Sequence, residues 1–136
     1  MICYWDKVES PIGPVHLAAT SAGLVYCSTP CETEERLLEW VAKHLPGYTC
    51  RQGTNEFIAL AKEQLAAYFS GHSRLLNVPL QLVGTQFQRS VWQALMTIPY
   101  GESRTYGEIA RQIGRPQAQR AVGQANNRNP ISFFVP

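Results

Sequence analysis

The sequence predicts an α+β protein: a small N-terminal α/β domain, an antiparallel sheet with helices, followed by a helical C-terminal domain containing a helix-turn-helix. Three observations carry this reading. The first 28 residues alternate β-branched and aromatic runs with turn chemistry. From residue 29 onward, polar caps repeatedly open apolar stripes at helical spacing. Charge is also divided unevenly. Residues 1–80 hold eight acids against six bases, a net of −2, whereas residues 81–136 hold six arginines against Glu102 and Glu108, a net of +4. The boundary falls in the change of character after residue 71, giving domains 1–78 and 79–136, and the C-terminal one is the anion-binding half.

Residues 2–8, 15–19 and 24–27 read as three strands of an antiparallel meander, separated by S-P-I-G-P at 10–14 and by the turn at 21–23. Thr29 opens a helix, with Pro30 at its first position and Glu32 completing a capping box; Leu37, Leu38, Val41 and Leu45 form its stripe, and Pro46-Gly47 ends it. A second helix covers residues 55–70, with Phe57, Ile58, Ala61, Leu65, Tyr68 and Phe69 inward and Gly71 as its stop. Residues 71–84 have no helical stripe and read as an extended connection, partly a strand. Thr85 with Gln88, and Thr105 with Glu108, are two further capping boxes. The helix after the first buries Phe87, Val91, Trp92, Leu95 and Ile98; the helix after the second turns Ile109 and Ile113 inward and stops at Gly114. Pro116 fits the first turn of a helix running to about residue 126, and residues 131–135 read as a buried strand.

At 136 residues, with 45% hydrophobic and 16% charged, the chain is long enough for one domain or two small ones. No apolar run approaches the roughly 20 residues of a membrane span, and no signal-peptide pattern precedes Asp6 and Glu9. A cytoplasmic protein with no membrane partner is expected, or a nuclear one in a eukaryote. All four cysteines (Cys3, Cys27, Cys31 and Cys50) lie in the first 50 residues, outside any C-x-x-C pair, and read as small buried hydrophobes. A metal site built from Cys3, Cys27, Cys31 and one of His16, His44 or His72 stays open, although the spacing is looser than zinc sites use.

The motifs with chemical content lie in the basic half: G-T-Q-F-Q-R-S-V-W-Q-A-L at 84–95, I-P-Y-G at 98–101, T-Y-G-E-I-A at 105–110, I-G-R-P-Q-A at 113–118 and R-A-V-G-Q-A-N-x-x-N-P at 120–130. This stretch resembles the C-terminal domain of the O6-alkylguanine-DNA alkyltransferases, or methylated-DNA-protein-cysteine methyltransferases. The resemblance implies DNA repair by irreversible transfer of an alkyl group from guanine O6 to a cysteine. It implies that the target nucleotide is flipped from the duplex through a minor-groove helix-turn-helix, with no cofactor. The expected partner is double-stranded DNA containing O6-alkylguanine, or O4-alkylthymine, bound by a monomer. Arg120 matches the arginine finger that fills the space of the flipped base, as a planar guanidinium is shaped to do. Tyr106 matches the tyrosine that presses on the 3′ phosphate, near helix amides that attract anions. Asn129 matches the hinge before the active-site strand. Ala118, Ala121, Gly123 and Ala125 leave room for the groove, or for a close helix pair, and Gln88, Arg89, Gln119 and Arg128 are candidate backbone or phosphate contacts.

In that family the accepting cysteine lies in a P-C-H-R motif. Pro136 matches its proline and the given sequence stops there, so the nucleophile, its activating histidine and the orienting glutamate are expected beyond it. The four N-terminal cysteines match no part of the motif and lack an adjacent base. Two alternatives within the same resemblance are a truncated inactive fragment and a non-enzymatic lesion-binding protein with tryptophan in place of the cysteine. A helix-turn-helix transcription regulator accounts for the basic helices but not for N-P-I-S-F-F-V-P at 129–136.

Overall fold

Alternating side chains in the first ten positions form β1 (Ile2–Ser10), which runs antiparallel to β2 (Gly13–Thr20); β2 in turn pairs antiparallel with β3 (Gly23–Cys27). This meander is the one expected. The structure, a computed structural model, describes residues 1–136 and divides into two compact units. One comprises Met1–Leu82 with Pro130–Phe134, and the other Val83–Asn129 with Val135–Pro136.

In the first unit α1 (Glu34–His44) leads to β4 (Thr49–Gln52), and α2 (Glu56–Phe69) follows. The strand order is β3-β2-β1-β4, with β4 parallel to β1, so the sheet is mixed rather than wholly antiparallel. Sequence reading misses β4 because its four residues, T-C-R-Q, are short, mostly exposed and without apolar alternation. The two helices cover opposite faces. Asp6 accepts from Lys62 of α2 at 2.6 Å, whereas Trp5, one position away and therefore on the other face, lies in register with Ala18 and Tyr26, and Tyr26 packs against Trp40 of α1 at 5.3 Å. Cover on both faces explains why residues 15–20 of β2 and all of β3 are buried. Burial opposes the charge of Asp6, but the Lys62 ammonium and the Lys7 amide more than offset this and hold its carboxyl below the ordinary value.

Helix α1 starts later than its sequence signal. Its cap is Thr33, which accepts from the Arg36 amide, not Thr29. The Thr29–Glu32 pair does form, with Glu32 accepting from the Thr29 amide and hydroxyl at 3.1 and 3.0 Å, but it closes a turn. The other carboxylate oxygen of Glu32 accepts from the Tyr26 hydroxyl at 3.0 Å, anchoring that turn to β3.

The outer edge of β3 is covered twice. Residues 79–81 form a parallel bridge at Leu24, with the Leu24 amide donating to Pro79 at 3.0 Å and the Gln81 amide donating back at 2.9 Å. This is the partly extended connection expected for residues 71–84. It approaches so closely that a Cβ on Gly23, at φ 150°, would lie 2.8 Å from the Pro79 carbonyl oxygen. Residues 130–132 make the second bridge, with the Cys27 amide donating to Pro130 and the Ser132 amide donating to Cys27, both at 2.9 Å. The expected strand over residues 131–135 is therefore one bridged residue, Ile131, followed by a turn. The Phe134 amide donates to Ser132 at 2.9 Å with Phe133 at φ 70°, a left-handed conformation unfavourable for an aromatic residue. Edge-to-face packing of Phe133 on Tyr68 and Phe69, at 6.1 and 5.4 Å, offsets that cost.

The second unit holds α3 (Gln86–Leu95), α4 (Tyr106–Gln112) and α5 (Gln119–Asn127) around Val91, Trp92, Leu95, Ile109, Ala110, Val122 and Ala125. Both expected capping boxes, Thr85 with Gln88 and Thr105 with Glu108, are formed. Ile98 and Ile113 are only half-buried. Helix α5 begins at Gln119 rather than at Pro116. Residues 115–118 are closed into a turn by the Ala118 amide donating to Arg115 at 3.0 Å, and Ala118 then precedes the helix with no side-chain cap.

Asn55 connects local and tertiary structure. Its side-chain oxygen accepts from the Phe57 and Ile58 amides, both at 3.0 Å, and its Nδ2 donates to the Thr20 carbonyl at 3.1 Å. Replacing it with alanine removes the cap of α2 and a tie to the end of β2 together. Asn55→Ala is expected to cost about 1–3 kcal/mol, read as a fall in the urea unfolding midpoint with unchanged slope.

Candidate nucleic-acid interface

Helix α5 has the composition of a weak helix: Q-R-A-V-G-Q-A-N-N contains one glycine and two asparagines and starts uncapped. Packing supplies what propensity does not. Val122, Gly123 and Ala125 face inward, and the buried Trp92 indole Nε1 of α3 donates to the Ala125 carbonyl at 2.9 Å. Sequence reading places Trp92 in the core but does not foresee this bond, for which no sequence signal exists beyond the preference of a buried indole for an acceptor.

With that face fixed, the opposite one is decided. Arg120, Gln124 and Arg128 on it are exposed, as is Gln119 at the helix start, whose side chain lies against Gly107 of α4, and Arg120 takes part in no salt bridge. Tyr106, at the start of α4, is 45% exposed. Its ring lies over Gly123, where a Cβ would come within 3.0 Å of it, and its hydroxyl accepts from Asn126 Nδ2 at 3.4 Å. Any larger residue at 123 displaces the ring. The small residue there accommodates the helix pair.

Tyr106, Pro116, Gln117, Gln119 and Arg120 line one open hollow of about 610 Å³ at the start of α5. Three expected site residues are therefore brought together: Tyr106, Gln119 and Arg120. Pro116 and Gln117, which sequence reading assigned to a helix, form one wall from their turn. Gln88, Ala121 and Arg128 line a separate small cleft of about 160 Å³ between α3 and α5. Ala118 is half-buried immediately before α5. Arg89 joins neither hollow and donates to the Gly84 carbonyl at 3.0 Å.

The start of α4 carries the capping box expected from Thr105 and Glu108. Glu108 accepts from the Thr105 amide and donates its own amide to the Thr105 hydroxyl, both at 3.0 Å. Those Thr105 contacts hold the fully exposed Glu108 carboxyl below its ordinary value, so an acid already occupies the helix start. The positive charge of this unit lies on arginine side chains alone. Asn129 follows α5, and its Nδ2 donates to the Val135 carbonyl at 2.7 Å, closing the segment between them into a loop.

All four cysteines belong to the first unit. Cys3 and Cys27 are buried, and burial raises both thiols above the ordinary range, the opposite of what a nucleophile requires. Cys31 is exposed and Cys50 half-buried. No three cysteine, histidine or acidic side chains are grouped to hold a metal ion, so the open Cys/His set does not assemble.

The chain was compared with known proteins. Residues 86–136 match the family model described as 6-O-methylguanine DNA methyltransferase, DNA binding domain, and residues 3–82 match the ribonuclease-like domain of the same enzyme. A methylated-DNA–protein-cysteine methyltransferase of Methanosarcina acetivorans is 47% identical over 135 residues, covering 98% of this chain and 80% of the relative. The Mycobacterium leprae protein of that name is 45% identical over 131 residues, covering 96% and 73%. Among solved structures, Mycobacterium tuberculosis O6-methylguanine methyltransferase superposes with a TM-score of 0.80 at 43% identity, over 99% of this chain and 76% of that one. A crystal structure of Mycobacterium tuberculosis OGT in complex with DNA gives 0.77 at 43% identity, over 98% and 74%.

Trp92→Phe keeps the apolar bulk while removing the indole donor. It is expected to destabilise the protein by about 1–3 kcal/mol, measured by urea unfolding followed by circular dichroism.

Proposed function

Because this chain belongs to the methylated-DNA–protein-cysteine methyltransferase family, we propose that it repairs DNA by moving a methyl group from guanine O6 in a duplex onto a protein cysteine. The observation that carries the reading is the convergence of Tyr106 and the unpaired Arg120 on one open hollow, in a unit whose six arginines face only two acids. Such a surface attracts the phosphate backbone without regard to sequence. The hollow supplies a planar cation and an aromatic ring where an extruded nucleotide has to be replaced and its phosphate steered.

In this mechanism Arg120 enters the base stack as the nucleotide leaves, and Tyr106 bears on the adjacent 3′ phosphate. Gln119, Gln88, Arg128 and Arg89 contribute backbone or phosphate contacts, and the small Ala118 and Ala121 allow close approach. The nucleophile is the cysteine expected immediately after Pro136. Its thiolate attacks the methyl carbon, forming a C–S bond as the C–O6 bond breaks; the neighbouring histidine of the motif takes up the thiol proton, and one proton is delivered to the departing base, which restores neutral guanine. The cysteine stays methylated, so each molecule acts once. Asn129, by holding the Val135 carbonyl, directs the residues that lead to that cysteine. No cofactor participates. Alkylated duplex DNA, with O6-alkylguanine or O4-alkylthymine, is the partner of a monomer working in the cytoplasm, or in a nucleus where the cell has one. Residues 1–78 act as the accessory domain and residues 79–136 as the DNA-binding one.

Flipping is required for a base in a duplex but not for a free base, which separates the role of Arg120 from that of the nucleophile. In protein carrying the residues that follow Pro136, Arg120→Ala is expected to slow transfer from duplex DNA by about tenfold or more while leaving reaction with free O6-benzylguanine within about twofold. Equal losses on the two substrates contradict the finger role.

A further inference from the structure

Two cysteines outside the transfer chemistry are placed against each other. β4 pairs with β1 in parallel register, and Cys3 and Cys50 are direct partners in that ladder. Neighbouring strands lie about 4.8 Å apart, inside the Cα separation of roughly 4.4–6.8 Å that a disulfide spans. Residues paired in register on neighbouring strands put their side chains on the same face of the sheet, so the two thiols are adjacent. Cys3 is wholly buried, whereas Cys50 is half-exposed. Approach from solvent is therefore possible at one sulfur only. β4 is also the part of the sheet best able to adjust to a covalent bond. It is four residues long, stands at the edge of the order β3-β2-β1-β4 and is otherwise mostly exposed.

We propose that Cys3 and Cys50 form an oxidisable pair that closes to a strand-to-strand disulfide between β1 and β4. The oxidant is a low-molecular-weight disulfide. The thiolate of Cys50 attacks one of its sulfurs, releasing one thiol and leaving a mixed disulfide on Cys50. Cys3 then loses its proton and attacks the Cys50 sulfur, expelling the second thiol. Two electrons and two protons pass from the protein pair to the oxidant, which ends as two thiols.

Burial and the neighbouring Cys50 push the Cys3 thiol up to about 12, and burial also raises Cys50. The thiolates are scarce, so closure is slow, and Cys50 is the better first nucleophile. The product carries no charge for burial to oppose. Reduction is hindered for the same geometric reason: an external thiolate reaches only the Cys50 sulfur. Cys27 and Cys31 offer no competing pair, since Cys27 is buried on β3 and Cys31 is exposed on the turn before α1. This inference does not rest on the proposed repair function.

The test is incubation of the folded protein with glutathione disulfide, alkylation of remaining thiols after unfolding, and peptide mapping. The expected result is a cross-linked peptide pair joining Cys3 to Cys50, with Cys27 alkylated and the exposed Cys31 in no protein cross-link. The urea midpoint should rise and return on treatment with dithiothreitol. Cys50→Ser, at a half-exposed position, should lose both the cross-link and the rise, while Cys31→Ser keeps them. A stable glutathione adduct on Cys50 with Cys3 free, or four free thiols after prolonged oxidation, overturns the proposal.

Discussion

The hydrogen bond from the Trp92 indole to the Ala125 carbonyl is the constraint on which the basic unit depends. Helix α5 is nine residues long, uncapped and poor in helix-forming side chains, so it is not expected to persist alone in water. Val122 and Ala125 provide a narrow apolar stripe, which by itself leaves the rotation of the helix loosely determined. The indole selects one rotation, because only one carbonyl meets it. Everything functional on α5 follows from that choice. Arg120 is turned outward, Gly123 is presented to the Tyr106 ring, and Gln124 and Arg128 face solvent.

A second constraint acts at the edge of the sheet. β3 is a short, fully buried strand with a free edge, and two separate stretches of chain satisfy its backbone groups, residues 79–81 and residues 130–132. The later of these brings the chain back into the first unit directly after α5. There the ring of Phe133, held at φ 70° between Tyr68 and Phe69, fixes a turn that backbone preference alone would avoid. Asn129 joins the two ends of this excursion through Val135. The residues nearest Pro136 are thus determined by side-chain contacts rather than by regular secondary structure.

This distribution explains what sequence reading reached. Caps at Thr85 and Thr105 were legible because a cap is a local agreement between a polar side chain and amides two or three residues away. Thr29 with Glu32 carries the same pattern and makes the same local bonds, yet the Glu32–Tyr26 contact turns them into a strand anchor, and α1 waits until Thr33. β4 and the turn at Phe133 exist because of partners distant in sequence, β1 for the one and α2 for the other, and no local signal announces either. In the site, Tyr106, Gln119 and Arg120 were legible through motif resemblance. Their common hollow and the part played by Pro116 and Gln117 depend on contacts between residues that no local pattern announces, whereas Glu108 at the α4 start was already legible as half of a capping box.

The proposed repair gives DNA opening to the surface around Arg120 and methyl transfer to a cysteine expected after Pro136, with no transfer role for the buried or base-free cysteines of the first unit. The most direct measurement is to react protein carrying the residues after Pro136 with duplex DNA bearing an isotopically labelled O6-methylguanine, then digest it and locate the label by mass spectrometry. The account predicts stoichiometric label on the cysteine that follows Pro136 and none elsewhere. Label on Cys3, Cys27, Cys31 or Cys50, or no label on any cysteine, contradicts it.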